Sequence, residues 1–286
     1  MTAPTPPSNR AWRTLAMLVV GWWSSAVLAD PVAFGSRQLD IPAPQAFHAT
    51  AKDIPTLLEL SQAYLPEGNR LVEIYLDEAD RAAFAEGRQP ELGRYFQLQV
   101  MRSMEGKPLS NDEFAEAADS ILSDVEASVK SFDTKELTDP GNKALSEKSG
   151  SDAALSIGEV RYHGAFRREP WGQFFTTSSQ VAMSGPDGSS GRMFSVGGVV
   201  LANHQIMYLF AFSKDNGPDA RALAESALSQ WADAVHAANP DDPAVAAQAD
   251  ATASRLIRNV SRGVLIGAGC GALIGLFAWF LRRKKR

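Results

Sequence analysis

The feature that most constrains this chain is an uncharged apolar run next to its carboxyl terminus. Residues Gly263 to Leu281 carry no charge, and five basic residues, Arg282 to Arg286, follow directly. As a helix the run extends roughly 28 Å, close to the roughly 30 Å hydrocarbon core of a bilayer. Clustered Lys and Arg favour the cytoplasmic side of a membrane. We therefore predict a single transmembrane helix at 263–281 and a basic cytoplasmic tail at 282–286.

The amino terminus has the pattern of an export signal. Arg10 and Arg13 precede an uncharged stretch from Thr14 to Ala29, in which Val27 and Ala29 suit the specificity positions of a cleavage site. A basic leader followed by a short apolar stretch and small residues is typical of a secretory signal peptide. The alternative is an uncleaved anchor, although a helix of this length extends only about 24 Å. We predict a signal peptide at 1–29.

The two ends together predict a single-pass protein of a bacterial cytoplasmic membrane, with the bulk of the chain outside the cytoplasm. Residues 30–241 are expected to form an exported domain, and the Ala-rich residues 242–262 a helical juxtamembrane stalk. Without the seven basic residues of the leader and tail, 21 of the 28 remain against 33 acidic residues, a net charge of -12. Such a domain repels nucleic acid. The expected partners are the lipid bilayer and an envelope protein, and no nucleic acid.

Glycines recur at every fourth position of the predicted span, at Gly263, Gly267, Gly271 and Gly275. They line one stripe of a helix, where a second helix can approach closely and gain dispersion contacts. Glycine is also common in membrane helices in general, which is the alternative explanation. The spacing predicts self-association or pairing through the span. The only cysteine, Cys270, lies in the same run, so the exported domain has no disulfide.

The exported domain contains three helix signals before its long polar segment. Apolar spacing predicts short helices within 53–66 and 77–87, the second capped by Asp77. Ser110 and Glu113 form a capping-box pattern, in which each side chain satisfies the other's exposed amide. That pattern opens the strongest predicted helix, whose apolar stripe is Phe114, Ala118, Ile121, Val125, Val129 and Phe132.

Strand signals flank these helices and dominate the second half of the domain. After an extended start at Gln38–Phe47, period-two patterns predict strands at Arg70–Leu76 and Tyr95–Met101. In the first, Val72, Ile74 and Leu76 are expected on one face. Four further strands are predicted at Ile157–His163, Gly172–Met183, Arg192–Leu201 and Gln205–Ser213, with turns at Gly185–Gly188 and Asn203–His204.

Two further expectations concern the connecting segments. Residues Asp133 to Ala153 are polar and rich in turn residues, so we expect a long surface loop. Pro218 is expected at the first position of the closing helix, which ends at Asn239–Pro240. Its predicted apolar stripe is Leu223, Ala227, Trp231 and Val235.

The order of these elements predicts an α+β fold, an antiparallel sheet covered by helices. The chain resembles the Mog1/PsbP-like fold of small bacterial periplasmic proteins over roughly 31–239. The residues that carry this resemblance are Ile41-Pro42-Ala43-Pro44, Gly197-Gly198, Met207-Tyr208-Leu209-Phe210 and Trp231. Ala46 stands where that pattern has a glycine. The resemblance implies a binding, chaperone or assembly factor, and fold alone does not determine function.

Motifs that carry chemistry are scarce. The four histidines, His48, His163, His204 and His236, have no metal-ligand spacing, so we predict no metal site and no cofactor. Ser195 is expected to be an outward strand residue, and no residue is assigned a catalytic role. The carboxylates at the start of the long helix are expected to form a solvated face; they are Asp112, Glu113, Glu116 and Asp119.

One segment concentrates cations and aromatic rings in this acidic domain: Arg161, Tyr162, His163, Arg167, Arg168 and Trp171. Guanidinium groups and ring faces together can hold a carboxylate, a phosphate or a partner's side chain. The alternative is a strand edge whose charges are solvated or paired with Glu159 and Glu169. We predict this segment as the ligand- or partner-binding region.

The sequence thus favours a membrane-anchored extracytoplasmic binding module. An inhibitor or immunity protein, held where an incoming toxin would act, is a variant of that function. The alternative is a periplasmic enzyme whose site is assembled from distant residues. A deep pocket that contains His163 with a carboxylate neighbour would favour the enzyme, whereas a shallow face would favour binding.

Overall fold

The structure, a computed structural model, describes residues 31–129, 134–149, 154–184 and 190–249. The predicted signal peptide, the transmembrane helix with its glycine stripe, the basic tail, most of the stalk and the turn at 185–188 lie outside these residues. Within the described ranges, no helix combines the length and the hydropathy that a membrane crossing requires. The topology inferred from the two ends therefore stays a prediction.

The described residues form one seven-stranded sheet and a separate two-stranded hairpin. The strands are β1 (Pro31–Phe34), β2 (Arg37–Asp40), β3 (Phe47–Ala49), β4 (Asn69–Asp77), β5 (Arg94–Met101), β6 (Leu155–Glu169), β7 (Gly172–Met183), β8 (Ser190–Ala202) and β9 (Gln205–Lys214). β1 and β2 form the hairpin, and the large sheet has the order β3-β4-β5-β9-β8-β7-β6. Every neighbouring pair in it is antiparallel.

Helices cover both faces of the large sheet. They are α1 (Pro55–Gln62), α2 (Glu78–Ala85), α3 (Asn111–Val129), α4 (Thr134–Ser149), α5 (Ala220–Ala238) and α6 (Pro243–Ala249). Helices α1 to α4 pack on the side of Phe175 and Phe210, which we call the helical face. Helix α5 and the β1–β2 hairpin pack on the side of Phe174 and Leu209, the α5 face. The predicted α+β class, an antiparallel sheet covered by helices, is confirmed.

Several local predictions are confirmed by hydrogen bonds. The Asp77 carboxylate accepts from the Asp80 backbone N–H at 2.8 Å and so caps α2. In the capping box before α3, the Ser110 N–H donates to Glu113 Oε2 at 2.9 Å, and the Glu113 N–H donates to Ser110 Oγ at 3.3 Å.

Ala46 has a φ of +66°, the left-handed conformation that glycine adopts most easily, so a glycine there would be less strained.

The predicted loop at 133–153 is wrong, because α4 occupies most of it. Pro140 lies inside this helix. At Gly141 an added Cβ would lie 1.9 Å from the Tyr64 ring, so the absence of a side chain lets the helix approach α1. The next residue, Asn142, accepts from the Leu155 N–H at 2.8 Å and donates to the Leu155 carbonyl at 2.9 Å. Tertiary contacts therefore stabilise a helix that its own composition disfavours.

Two predicted apolar stripes need correction. The pairing of β4 with β5 shifts register between Leu71 and Glu73. This bulge places Val72 against the α5-face core, whereas Ile74 and Leu76 lie in the helical-face core. In α5, Leu223 is 55% exposed. Trp231 and Val235 are buried as predicted, and the buried stripe of that helix is completed by Ala220, Ala224, Leu228 and Ala232.

Two predicted boundaries also move. Helix α5 begins at Ala220 with Asp219 at its N-cap, so Pro218 precedes the helix rather than occupying its first position. Strand β6 extends to Glu169, well beyond the predicted end at His163, and its pairing with β7 contains three register shifts. Because β6 is the edge strand of the sheet, these irregularities and its many charges oppose the addition of another strand.

The two ends of the large sheet connect to different parts of the chain. We call the end of the sheet at the β8–β9 turn the proximal end. Asn203 and His204 form this turn with positive φ angles, as predicted for a tight connection. Asn203 Oδ1 there accepts from the Asp242 N–H (3.1 Å), just before α6. Asn239 pairs its amide with both backbone groups of Asp40 (2.9 and 2.7 Å). The chain therefore enters α6 at the proximal end, and Lys214 lies at the opposite, distal end.

Candidate functional site

A cleft of about 390 Å³ opens at the distal end of the helical face. We call it the distal cleft. Its apolar lining consists of Leu92, Tyr95, Val181, Met183 and Met193, and its polar lining includes Gln89, Glu91, Ser190, Arg192, Lys214, Asp215 and Asn216. A concave site with a mostly apolar floor and a few polar groups at its margin is the usual form of a small-ligand site.

The floor of the distal cleft comes from alternate residues of three strands. Tyr95 is the second residue of β5 and stacks on Phe212, with ring centroids 5.0 Å apart. Met193 in β8 and Met183 in β7 approach from the other side. Methionine is unbranched and polarisable, so it adapts its shape to different apolar groups and makes favourable contacts with aromatic rings.

The wall of the distal cleft is a loop held by a buried carboxylate. The Asp80 carboxylate, only 3% exposed, accepts from the Glu91 N–H at 2.7 Å and from the Leu92 N–H at 3.1 Å. Burial raises the pKa of the Asp80 carboxyl, and these two hydrogen bonds act in the opposite direction. Leu92 has a φ of +48°, which is strained for a leucine. The wall is therefore formed before any ligand arrives.

The rim of the distal cleft carries charges of both signs. Lys214 Nζ donates to the carbonyl of Glu91 and so closes the wall against β9. Arg192 lies 3.7 Å from the carboxylate of Asp215, and its side chain is 60% exposed. A pair this long and this exposed contributes about 0–1 kcal/mol, so the guanidinium can turn toward another partner.

The segment predicted to bind a ligand is divided between the two faces of the sheet. Arg167 and Trp171 lie on the α5 side, toward the proximal end. Arg167 makes a two-pronged pair with Asp233 (2.7 and 3.1 Å), bonds Glu169 at 3.1 Å and lies over the ring of Trp171. These contacts raise the pKa of Arg167, the hydrogen bond to Asp233 most. Its chemistry is thus used to attach β6 to α5.

Tyr162 and Arg168 belong to the opposite, helical face. Tyr162 packs against the helical-face core, and burial raises the pKa of its hydroxyl. Arg168 lies 3.5 Å from Asp119 in α3, and both side chains are 64% exposed. The same carboxylate accepts from Gln173 Nε2 at 2.9 Å. The six predicted residues therefore cannot act together on one ligand.

Arg161 and His163 remain together on the α5 face near the distal end. His163 Nε2 and Ser178 Oγ are 2.8 Å apart, and the His163 ring lies 6.0 Å from the ring of Phe194. Burial lowers the pKa of His163, and the positive charges of Arg221, Arg161 and Arg192 lower it further, against the opposing effect of Glu225. The structure thus adds two cations from distant parts of the chain to this half of the segment.

Other residues considered from sequence have structural surroundings. Ser195 is 4% exposed, so the prediction that it points outward is wrong, because helices cover both faces of the sheet. Asp112, Glu116 and Asp119 are exposed on α3. Within the described ranges, no group of three or more His, Cys, Asp or Glu residues is placed to hold a metal ion.

The distal cleft was missed in the sequence because its parts come from four separated segments. The one available signal was that apolar residues stand close to both sides of the 185–188 turn: Val181 and Met183 before it and Met193 after it. The buried Asp80 and the strained Leu92 have no local signature.

Neither the known protein-family models nor the curated protein sequences give a match to this chain.

Proposed function

We propose that this chain is a membrane-anchored extracytoplasmic binding module that captures an apolar group of a ligand or envelope partner in the distal cleft. In this proposal a cleaved signal exports residues 30–241, and a single span at 263–281 leaves the carboxyl terminus in the cytoplasm of a bacterium. The observation that carries it is that the distal cleft and the entry into α6 lie at opposite ends of the sheet.

The length of β9 separates the cleft from the membrane in this arrangement. Asp242 is tied to the turn at Asn203, whereas Lys214 at the other end of β9 lines the cleft. Ten residues of β-strand extend roughly 30 Å. A cleft at that distance faces soluble molecules and the exported parts of other proteins, rather than the bilayer in which the chain is anchored.

The chemistry of the cleft supports the binding of a single aromatic or aliphatic group. Its volume of about 390 Å³ lies at the lower end of the range for small-ligand sites. Tyr95, Met183 and Met193 offer polarisable contacts, and the wall held by Asp80 needs little ordering on binding. The same features fit a side chain inserted by an inhibited or protected partner protein, as an inhibitor or immunity function requires.

Site-specific photocrosslinking in intact cells tests the cleft. A benzoylphenylalanine introduced at Met183, inside the cleft, should yield a defined adduct. The same group at Leu223, exposed on α5, should not. Identical adducts at the two positions, or no adduct at Met183, would show that the cleft is not the binding site.

The membrane topology is tested separately. We expect the intact protein to stay in the membrane fraction after a carbonate wash, and a reporter fused after Arg286 to be active only in the cytoplasm. Release by carbonate or a periplasmic reporter signal would overturn the anchor. For the proposed pairing of spans, Gly271→Ile should lower the dimer signal in a membrane two-hybrid assay, and an unchanged signal would contradict it.

A second candidate function, an extracytoplasmic hydrolase, is favoured by one observation. Ser178 Oγ and His163 Nε2 lie 2.8 Å apart, as a nucleophile and its base do. Such a pair also needs a third group that orients the base. Glu225, the carboxylate that acts on His163, already accepts from Thr176 and Arg221, both at 2.7 Å. Ester hydrolysis that disappears in Ser178→Ala but persists in Ser179→Ala would favour the enzyme over the binding module.

A further inference from the structure

The α5 face carries a cationic cluster at its distal end, which shares only Arg192 with the distal cleft. Cross-strand pairs place Arg161 of β6 beside Ser178 of β7, and Ser178 beside Phe194 of β8. Arg192 lies two residues before Phe194 and is therefore on the same face of β8. The first turn of α5 adds Arg221, whose partner Glu225 also accepts from Thr176 of β7 at 2.7 Å. Residues from four elements thus converge on His163 and Ser178.

Most of the positive charge in this cluster is weakly held. Arg161 lies 3.9 Å from Glu159, and the two side chains are 69% and 82% exposed. Arg192 is 3.7 Å from Asp215. Both separations exceed a hydrogen bond, so these pairs are worth about 0–1 kcal/mol each. Only Arg221 has a close partner, Glu225 at 2.7 Å.

Among the charged groups that act most on the His163 ring, at the centre of the cluster, cations predominate. The charged groups that act on His163 are Arg161 from β6, Arg192 from β8, and Arg221 and Glu225 from α5. Three of these four groups are cations, in a domain whose overall charge is strongly negative, and two of the three are only loosely paired, with Glu159 and Asp215. The amino-terminal end of α5 adds partial positive charge from its backbone N–H groups.

We infer that Arg161, Arg192 and Arg221, with His163 and Ser178, form a binding site for a tetrahedral oxyanion such as the phosphoryl group of a phosphate ester. Guanidinium groups are planar forks that bind two oxygens each, and three of them from separate elements suit an anion with oxygens in several directions. Ser178 and the imidazole supply further hydrogen bonds. The site shares Arg192 with the rim of the distal cleft but requires no ligand in that cleft, so it stands if the cleft binds nothing.

Titration of the full chain with inorganic phosphate tests this site. The protein is held in phosphatidylcholine nanodiscs, which carry no net charge, and chloride keeps the ionic strength constant. In Arg161→Gln/Arg192→Gln the phosphate dissociation constant should rise at least about tenfold, since each lost bond involves two charged groups. In the control Arg102→Gln/Arg168→Gln the same net charge is removed away from the site, and the constant should change less than about twofold.

Nuclear magnetic resonance of the wild-type imidazoles gives a second measurement that requires no substitution. Bound phosphate should raise the pKa of His163, whereas the resonances of the exposed and distant His48 should not move on addition of phosphate. Equal losses of affinity in both double variants, no saturable phosphate binding, or an unmoved His163 signal would overturn the site. Repetition in phosphatidylglycerol nanodiscs identifies the source: unchanged affinity indicates a soluble phosphate group, and competition by the lipid indicates a headgroup.

Discussion

The two faces of the large sheet bury different kinds of side chain. On the α5 face, β5 contributes Phe96, Leu98 and Val100, and one helix covers the sheet. On the helical face, the same strand contributes Gln97 and Gln99, both almost fully buried. Polar residues of the neighbouring strands share that side, among them Thr177, Ser195 and Tyr208. The strands of one face are thus mostly apolar, whereas the other face combines an apolar core, covered by four helices, with a row of buried polar groups.

This difference shows that the two faces of the sheet are stabilised in different ways. A face built from apolar residues gains its free energy directly from burial. A face with buried amides and hydroxyls depends on hydrogen bonds among side chains and on the helices that exclude water from it. The loop wall of the distal cleft belongs to the second kind, since a buried carboxylate holds it.

Trp231→Ala should produce the largest loss and would break the apolar face. The indole is 2% exposed, donates to the Pro42 carbonyl at 2.8 Å, and lies edge-on to Tyr75 and Phe96. We expect the free energy of unfolding to fall by about 3–5 kcal/mol in denaturant titrations. Trp171 lies half-buried at the margin of the same face, so Trp171→Ala should lower the free energy of unfolding clearly less. An equal loss in the two variants would contradict the idea that burial in the apolar core stabilises this face.

Asn142→Ala should rank second and concerns the helical face. Its amide holds both backbone groups of Leu155 at the start of β6, so the alanine variant leaves buried groups without partners. A loss of about 1–3 kcal/mol is expected, together with faster hydrogen exchange at Leu155. Lys143→Ala, the exposed neighbour in α4, serves as the control and should change the stability by less than about 0.5 kcal/mol.

The same contrast explains how much of the fold could be predicted from the sequence. Alternation of Phe96, Leu98 and Val100 correctly identified one buried face, and the capping box of Ser110 correctly placed α3. The intervening glutamines suggest a solvated second face, which the structure contradicts. Helix α4 was missed for a related reason: its composition is polar, and its helical state depends on contacts with Tyr64 and Leu155.

For the candidate sites, proximity in sequence was informative only in part. Arg161 and His163 lie together, but β-strand alternation sends Tyr162 to the other face and likewise separates Arg167 from Arg168. Arg192 and Arg221 join the group only through sheet pairing and the packing of α5. A local pattern cannot show which distant strands will be neighbours.

Leucine replacements at Gln97 and Gln99 test the polar layer directly. Gln99 Nε2 donates to Gln97 Oε1 at 2.9 Å. Gln99→Leu alone leaves that buried oxygen without its donor and should cost about 1–2 kcal/mol. The double variant replaces both partners by apolar groups of similar size, so its stability should lie within about 1 kcal/mol of the wild type.

The double-mutant cycle on this pair then measures the coupling between the two amides. A coupling close to the summed losses of the two single variants means that the pair, rather than each amide alone, determines the stability of the layer. Losses that simply add would mean that Gln97 and Gln99 each have independent partners, and that the helical face is closer to a satisfied polar network than the contrast implies.

The smallest expected effect is the pH dependence contributed by His163 on the α5 face. Burial lowers the pKa of this imidazole below the value of about 6.5 for an unfolded chain, so the folded state binds its proton less readily than the unfolded state. Its contribution to stability is therefore present above pH 6.5 and is lost as the pH falls below that value. Acidification should weaken the fold.

In His163→Gln the decline of stability between about pH 7 and pH 5 should be shallower than in the wild type, because the group that resists protonation is gone. Gln180→Ala, which removes an exposed side chain of β7 that does not titrate, should leave the slope unchanged. Unfolding titrations at several pH values measure both slopes. Since added phosphate should stabilise the protonated ring, it should also flatten the dependence of the wild-type stability on pH. If phosphate leaves that dependence unchanged, His163 does not share a phosphate site with the arginines around it.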